Sequence, residues 1–373
     1  MVYIEREGVT YNIPPSIKIG DFKMDPVYIK NKTKIKKWKG SNTQIRRIWS
    51  KCKVEYDTLM NTFKRGGYNP YKIFKRLNHI GRTITRRSFS VNENDENAVK
   101  MYIEILYFVS ETFRYFNRYE DSLYYSNLGL SYALSSSSPI PELEVRLRIP
   151  RVKCYTNLGD YENAIYEVKT GFEAIKKIPR KERKEIESEL HNVNCSALFT
   201  SNEHSPNKKK LLNAMKSIKR AKKHYLKEDR KSEVDYLTWQ EIRVTFAQGK
   251  CPDDEIISEV VNSYNYRASV WTKFEKAKSL LFNGEITSAK RIINECIKDS
   301  QWLGNKNRVV YGYIFLSDVE RISENWNAAI RWLHKAEEMD PRITDFNWKK
   351  RTINYLKNCI RMRDSTYRPI NFV

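Results

Sequence analysis

Lysine and arginine side chains alternate with aromatic residues near the start of the chain. Residues 30–90 hold 18 Lys and Arg against two acidic residues, and so carry +16 of a net charge of +23. Cations neutralise phosphates and release counterions, and aromatic rings stack on unpaired bases. The pattern predicts a nucleic-acid-binding surface, with DNA as the expected partner. The candidate contact residues are Lys36, Lys37, Trp38, Arg46, Arg47, Lys72, Lys75, Arg76, Arg82, Arg86 and Arg87.

Two helices are expected to position these cations. Apolar residues recur at spacings of three and four from Ile45 to Phe63, and Gly66-Gly67 ends that helix. A second helix begins at Asn69-Pro70, a capping residue followed by proline, and is expected to end at Gly81. Most aromatic residues fit the apolar faces and are assigned to the core. Trp38 lies in the unpatterned basic arm and is the best stacking candidate.

Other partners fit the same charge pattern. An acidic protein, or less readily an anionic membrane surface, also attracts cations, and a purely solvated basic surface is the remaining interpretation. A second basic segment, 208–231, carries +9 and is interpreted as a solvated helix face. Its expected buried stripe consists of Leu211, Leu212, Met215, Ile218 and Ala221.

The chain falls into four predicted segments. Residues 1–40 lack helical periodicity, and their first 13 residues are expected to form a hairpin around Glu7-Gly8 before the basic arm. A polar break at Ser90–Glu96 ends a basic helical domain, 41–96. Helical periodicity continues over 97–364, and a tail spans 365–373. The predicted fold class is therefore all-α.

Four breaks within the long helical region share a pattern of residues. Gly159-Asp160-Tyr161 is followed by Ala164-Ile165, and Asn325-Trp326 by Ala329-Ile330. Weaker copies place Ser122 after Tyr119 and Ala289 after Ile286. A small residue lets two helices approach closely, and the larger residue fills the adjacent gap. The pattern resembles the tetratricopeptide repeat, G-x-Y-x-x-A-[IL], although the turns recur at about 35 to 45 residues rather than ~34.

This resemblance implies a right-handed solenoid whose concave groove binds a peptide or partner protein. The first helix of each pair then lines the groove, and polar amides beside aromatic rings suit an extended peptide. A basic segment ahead of such an array also resembles the peptide-sensing regulators of bacteria and phages, the arbitrium receptors among them. No Cro-like helix-turn-helix is evident, so no residue role is transferred. The groove candidates are Asn192, Asn194, Tyr236, Trp239, Arg243, Trp271 and Tyr311.

Several functional classes lack support in the sequence. Phosphate-binding, nucleotide-binding, nucleophile-elbow and zinc-protease motifs are absent, and the six cysteines are scattered singly. We therefore expect no enzyme, no cofactor and no metal, with free buried thiols in a reducing compartment. No run approaches ~18 apolar residues and no secretory signal is evident, so a cytoplasmic protein without membrane contact is expected.

Two functions remain open at this point. The first is a nucleic-acid-binding regulator whose solenoid senses a peptide or a protein. The second is a non-enzymatic adaptor whose basic region binds an acidic protein partner. A homodimer is compatible with both.

Overall fold

The computed structural model is all-α apart from a short hairpin. It describes residues 2–6, 9–13, 42–65, 68–85, 95–135, 140–250, 252–263, 265–339 and 347–366. Strands β1 (Val2–Arg6) and β2 (Val9–Ile13) pair antiparallel, which confirms the predicted hairpin. Five candidate nucleic-acid contacts fall outside the described residues, namely Lys36, Lys37, Trp38, Arg86 and Arg87.

Fifteen helices form the rest of the described chain, and none of them is long and apolar enough to cross a membrane. They are α1 (Asn42–Arg65), α2 (Pro70–Thr85), α3 (Glu96–Tyr115), α4 (Tyr119–Ser135), α5 (Pro141–Leu158), α6 (Tyr161–Ile175), α7 (Lys184–His204), α8 (Lys208–Lys227), α9 (Lys231–Ala247), α10 (Asp254–Val261), α11 (Tyr266–Phe282), α12 (Ile286–Trp302), α13 (Lys306–Ile322), α14 (Trp326–Glu337) and α15 (Asn347–Arg361).

The chain divides into two compact units. The first unit consists of Met1–Met60 with Tyr71–Val193, and the second of Asn61–Pro70 with Asn194–Val373. Helices α1, α2 and α7 therefore contribute residues to both units. The predicted domain boundary at residues 96–97 stays a prediction, because 91–94 lie outside the described part of the chain.

Consecutive helices pack against each other in the first unit, α3 on α4, α4 on α5 and α5 on α6. The prediction that Gly81 ends α2 is wrong, since α2 continues to Thr85. A Cβ atom at Gly81 would lie 2.8 Å from Val109 Cγ1 and 3.0 Å from the Tyr125 hydroxyl. Gly81 therefore lets neighbouring helices approach closely and does not break its own helix.

Three apolar clusters hold the second unit together. One joins α7, α8 and α9 around Ile218, another joins α11, α12 and α13 around Ile293, and a third joins α13, α14 and α15 around Leu333. The predicted burial of Leu212 is wrong, because its side chain is 57% exposed. The buried stripe of α8 runs through Leu211. Leu212 points about 100° away from Leu211 around the helix, and so lies off that stripe.

Three glycines lie at helix ends, and the one at a predicted break, Gly159, is among them. Gly159, Gly249 and Gly284 have φ values of 78°, 75° and 80°, the left-handed conformation that glycine tolerates after a helix. The backbone N–H after Gly159 donates to the Tyr155 carbonyl at 2.9 Å, which satisfies a carbonyl of the last turn. The small residues of the four repeat-like breaks are fully buried, and they are Ser122, Ala164, Ala289 and Ala329. Their burial fits close helix packing, while the repeat family and the solenoid stay predictions.

Candidate functional site

Helices α1 and α2 carry exposed cations in the first unit. Their apolar stripes are buried, including Ile45, Leu59 and Ile73. The charged side chains project off these stripes, as their helical spacing predicted. The described candidate contacts, all of them exposed, are Arg46, Arg47, Lys72, Lys75, Arg76 and Arg82, and we call them the basic surface.

The aromatic residues beside these cations belong mainly to the core, as predicted. Tyr56 stacks on Phe108 with ring centroids 4.8 Å apart. The indole N–H of Trp49 donates to Glu104 at 2.5 Å. Tyr68 and Tyr71 are exceptions, because both are exposed. The Tyr71 ring lies 5.0 Å from Lys75 Nζ.

Partners within the chain neutralise the basic surface only in part. Arg76 Nε lies 2.9 Å from a carboxylate oxygen of Glu55. The side chains of Arg46 and Arg47 make no hydrogen bond or ion pair with any described residue. These two arginines are adjacent near the start of α1, so their charges add in one place.

The second unit brings most of the groove candidates together. Tyr236, Trp239 and Arg243 lie on α9, Trp271 on α11 and Tyr311 on α13. The rings of Trp239 and Trp271 have centroids 4.3 Å apart. The Tyr236 ring lies 5.3 Å from Trp239 and 5.5 Å from Trp271. The Arg243 guanidinium lies 4.9 Å from the Trp239 ring.

Two arginines of this site were missed in the sequence. The Arg267 guanidinium lies 4.2 Å from the Trp271 ring centroid. Arg308 lies 4.9 Å from Trp271, 5.6 Å from Trp239 and 5.3 Å from Tyr311. We call the full set the arginine–aromatic cluster: Tyr236, Trp239, Arg243, Arg267, Trp271, Arg308 and Tyr311.

A sequence signal for both missed arginines exists. Each of α9, α11 and α13 pairs an arginine with an aromatic residue three or four positions away. Residues at this spacing lie on one face of a helix. The pairs are Trp239 with Arg243, Arg267 with Trp271, and Arg308 with Tyr311.

Arg308 is the least compensated charge of the arginine–aromatic cluster. Its guanidinium makes no hydrogen bond or ion pair with any residue the structure describes. Burial lowers the pKa of Arg308, and the positive charge of Arg243 lowers it further. The Glu275 carboxylate acts in the opposite direction, but it is bound to Lys278 Nζ at 2.8 Å. Arg308 thus remains a charged donor held in a partly desolvated place.

The tryptophans of the cluster add unused donors. Trp239 is 2% exposed and Trp271 5% exposed. Neither indole N–H finds an acceptor among the described residues. A buried donor without an acceptor costs about 1–3 kcal/mol. The cluster therefore concentrates positive charge and hydrogen-bond donors.

The two asparagine candidates are not part of this cluster. The Asn194 amide donates to the Ser217 hydroxyl at 2.9 Å in the second unit. Asn192 is half-buried and belongs to the first unit. The role of both in binding a peptide stays a prediction.

Residues for metal or thiol chemistry do not converge in the described part of the chain. There, no group of three His, Cys, Asp or Glu side chains is close enough to hold a metal ion. Five cysteines are free and buried, as predicted, and they are Cys52, Cys154, Cys195, Cys296 and Cys359.

The chain has no match in two comparisons with known proteins. No protein-family model matches the chain. No curated protein matches it significantly either.

Proposed function

We propose that this chain is a non-enzymatic regulator that binds nucleic acid through the basic surface of α1 and α2. A peptide or protein partner binds the second unit at the arginine–aromatic cluster, within a tetratricopeptide-like array. The observation that carries the proposal is the basic surface itself, where exposed cations lie opposite two buried apolar stripes.

The solvation of these cations supports the proposal. A solvated side chain gives up only counterions and loosely held water when it meets a phosphate, which favours salt-dependent binding. The Arg76–Glu55 pair is not a strong competitor, because the Arg76 side chain is 54% exposed and exposed ion pairs contribute about 0–1 kcal/mol. A phosphate can therefore take the place of Glu55.

Helix α1 supports the regulatory part of the proposal. Arg46 and Arg47 lie near its start in the first unit, and its last turn belongs to the second unit. In the second unit, the Arg267 guanidinium lies 5.7 Å from the Phe63 ring of that last turn. A partner that prefers one position of Arg267 would thereby act on the helix that carries the basic surface, by shifting populations.

Fluorescence anisotropy of labelled duplex DNA and RNA tests the nucleic-acid part. The full chain is titrated at about 50 and 200 mM salt, the range over which several phosphate contacts give a steep loss of affinity. The test variant combines Arg46→Ala, Arg47→Ala and Lys72→Ala. We expect it to bind at least ~10-fold more weakly, with a salt slope smaller by about 2–3.

A matched control separates the basic surface from net charge. It combines Lys216→Ala, Lys219→Ala and Arg220→Ala, which remove three exposed cations from α8. We expect this control to bind nearly as the unmodified chain does. Equal weakening by both variants would mean that total charge attracts the nucleic acid, and the assignment to α1 and α2 would fail. If neither duplex binds, an adaptor for an acidic protein becomes the leading candidate.

A further inference from the structure

We propose that the arginine–aromatic cluster is an oxyanion site, which binds a carboxylate or phosphate group of its ligand. The inference rests on the partner-binding part of the proposed function and is independent of the nucleic-acid part. Four features of the cluster point to this chemistry.

The first feature is charge without a matching carboxylate at Arg308. Arg243 and Arg308 are close enough for the charge of one to lower the pKa of the other. Both contact the Trp239 ring, at 4.9 and 5.6 Å. Two like charges beside one ring repel each other, and a bound anion attracts both and so offsets that repulsion.

The second feature is the position of two arginines at helix starts. Arg267 and Arg308 lie in the first turns of α11 and α13, and neither first turn contains an acidic residue. The N-terminal end of a helix carries a partial positive charge, which disfavours a cation and favours an anion. Neither first turn supplies an anion, so a ligand anion at either helix start gains from the partial positive charge there.

The third feature is the pair of unused indole donors. Trp239 and Trp271 are more than nine-tenths buried, and their N–H groups have no acceptor in the described residues. An anion is an acceptor and not a donor, so it can satisfy such groups. Charge-assisted hydrogen bonds to carboxylate or phosphate are about twice as strong as neutral ones.

The fourth feature is that the aromatic rings already contact each other and the guanidiniums. Trp239 and Trp271 lie 4.3 Å apart, which leaves no room for a third ring between them. The Trp271 ring is also contacted by Arg267 and Arg308. The rings therefore orient the guanidinium groups, and we assign recognition to N–H donors instead of base stacking.

Indole N–H resonances provide a direct test. The full chain, labelled with ¹⁵N at the tryptophan indoles, is titrated separately with citrate, a carboxylate probe, and with pyrophosphate, a phosphate probe. Ionic strength is held constant with sodium chloride. Single Trp239→Phe and Trp271→Phe variants assign the two resonances among the eight tryptophans. We expect both resonances to move to lower field and to saturate with one dissociation constant. The tighter probe identifies the oxyanion.

Two arginine variants decide whether the site is the cluster. Arg308→Met is expected to weaken the saturable binding about 10- to 100-fold, the effect of losing a charge-assisted hydrogen bond. The matched control is Arg291→Met, which removes an exposed arginine of α12 that pairs with Glu295. It is expected to leave binding unchanged. The proposal is overturned if chloride alone moves the two resonances, if neither probe moves them, or if Arg308→Met binds as the unmodified chain does.

These outcomes are separate from those of the nucleic-acid test. The basic-surface triple variant is expected to keep both indole shifts, because its substitutions lie on α1 and α2. Loss of DNA binding with intact indole shifts would leave the oxyanion site standing alone. Intact DNA binding without indole shifts would remove the oxyanion site and leave the basic surface.

Discussion

Two sets of arginines, one in each unit, have different surroundings: the first is buried among carboxylates, and the second is half-buried among aromatic rings. In the first unit, Arg148 lies 2.8 Å from Glu144 and 2.7 Å from Glu167, and Arg151 lies 2.6 Å from Glu167. We call these four residues the ion network. In the second unit, the arginine–aromatic cluster surrounds its guanidiniums with rings. Carboxylates neutralise the charge of an arginine, whereas aromatic rings do not. The ion network is therefore suited to hold the fold, and the cluster to bind a ligand.

The pKa values of two buried carboxyl groups show how many guanidiniums are needed. Burial alone would raise the pKa of Glu167, but Arg151 and Arg148 together outweigh it and leave that pKa below its ordinary range. Burial raises the pKa of Asp318 in the second unit to about 6, because Arg321 opposes it only in part. Arg321 is itself shared with the backbone carbonyls of Asp364 and Thr366. Two arginines outweigh burial here, and one shared arginine does not.

The largest effect is expected from breaking the ion network. Glu167→Gln leaves Arg151 and Arg148 buried without their common carboxylate. Removing one partner of a buried ion pair typically costs about 3–5 kcal/mol. We expect a loss of that size in the free energy of unfolding, measured by urea denaturation at pH 7 with circular dichroism.

Glu173→Gln is the matched control, since Glu173 lies on the same helix and pairs with Lys176 in solvent. Its unfolding midpoint is expected to stay close to that of the unmodified chain. If both substitutions have the same small effect, the ion network does not stabilise the first unit. The contrast between a stabilising ion network and a ligand-binding cluster then fails.

The pH dependence of stability should differ in sign between the two carboxyl groups. Asp318 keeps its proton in the folded state up to about pH 6, while the unfolded chain releases it near 3.8. The folded state therefore binds more protons in this window, and this group makes stability fall as pH rises from about 4 to 6, by on the order of 1–3 kcal/mol. Glu167 acts oppositely, since its contribution is present above its unfolded pKa and is lost as pH falls through its lowered folded pKa.

Urea denaturation between pH 4 and 7, followed by tryptophan fluorescence, measures the Asp318 effect. Six of the eight tryptophans belong to the second unit, so the signal reports mainly on that unit. Asp318→Asn should remove the decline between pH 4 and 6. A variant with the unchanged decline would show that another group binds the proton.

The smallest effect is expected from Arg308→Met, and its sign is informative. A thioether of similar length keeps the packing on the rings and removes a charge without a carboxylate. Replacing such a charge with an apolar side chain is often neutral or stabilising, here by about 0–1 kcal/mol. The same change at Arg148 leaves Glu144 and Glu167 underpaired and should destabilise clearly. Thermal unfolding without added anion compares them, and a loss at Arg308 as large as that at Arg148 contradicts the comparison.

Local patterns predicted much of the fold. The apolar spacing of α1, the start of α2 at Pro70 and the break at Gly159 depend on neighbours in sequence, and they agree with the structure. Gly81 was misinterpreted because the same residue type ends helices and permits close packing. Which of the two applies depends on Val109 and Tyr125, which come much later in the chain.

The candidate site could be predicted only in part, for a similar reason. Tyr236, Trp239, Arg243, Trp271 and Tyr311 were selected from single helices, and their common location follows from how α9, α11 and α13 pack. Arg308 and Arg267 contact aromatic rings on other helices as well as on their own helix. The ion network was missed for the same cause, because Glu167 and Arg148 are 19 residues apart. Contacts between helices are made by the fold, and only the arginine–aromatic pairs within each helix leave a local pattern.

The buried cysteines can report on local unfolding of the molecule. Burial raises the pKa of Cys154 and of Cys195 to about 12, and only the thiolate reacts readily with an alkylating reagent. Each of these thiols therefore stays unreactive toward the reagent until the structure around it unfolds. Alkylation of Cys52 and Cys154 reports on the first unit, and alkylation of Cys195 and Cys296 on the second. Mass spectrometry of pulse-alkylated peptides would give the order in which the two units unfold, without any engineered label.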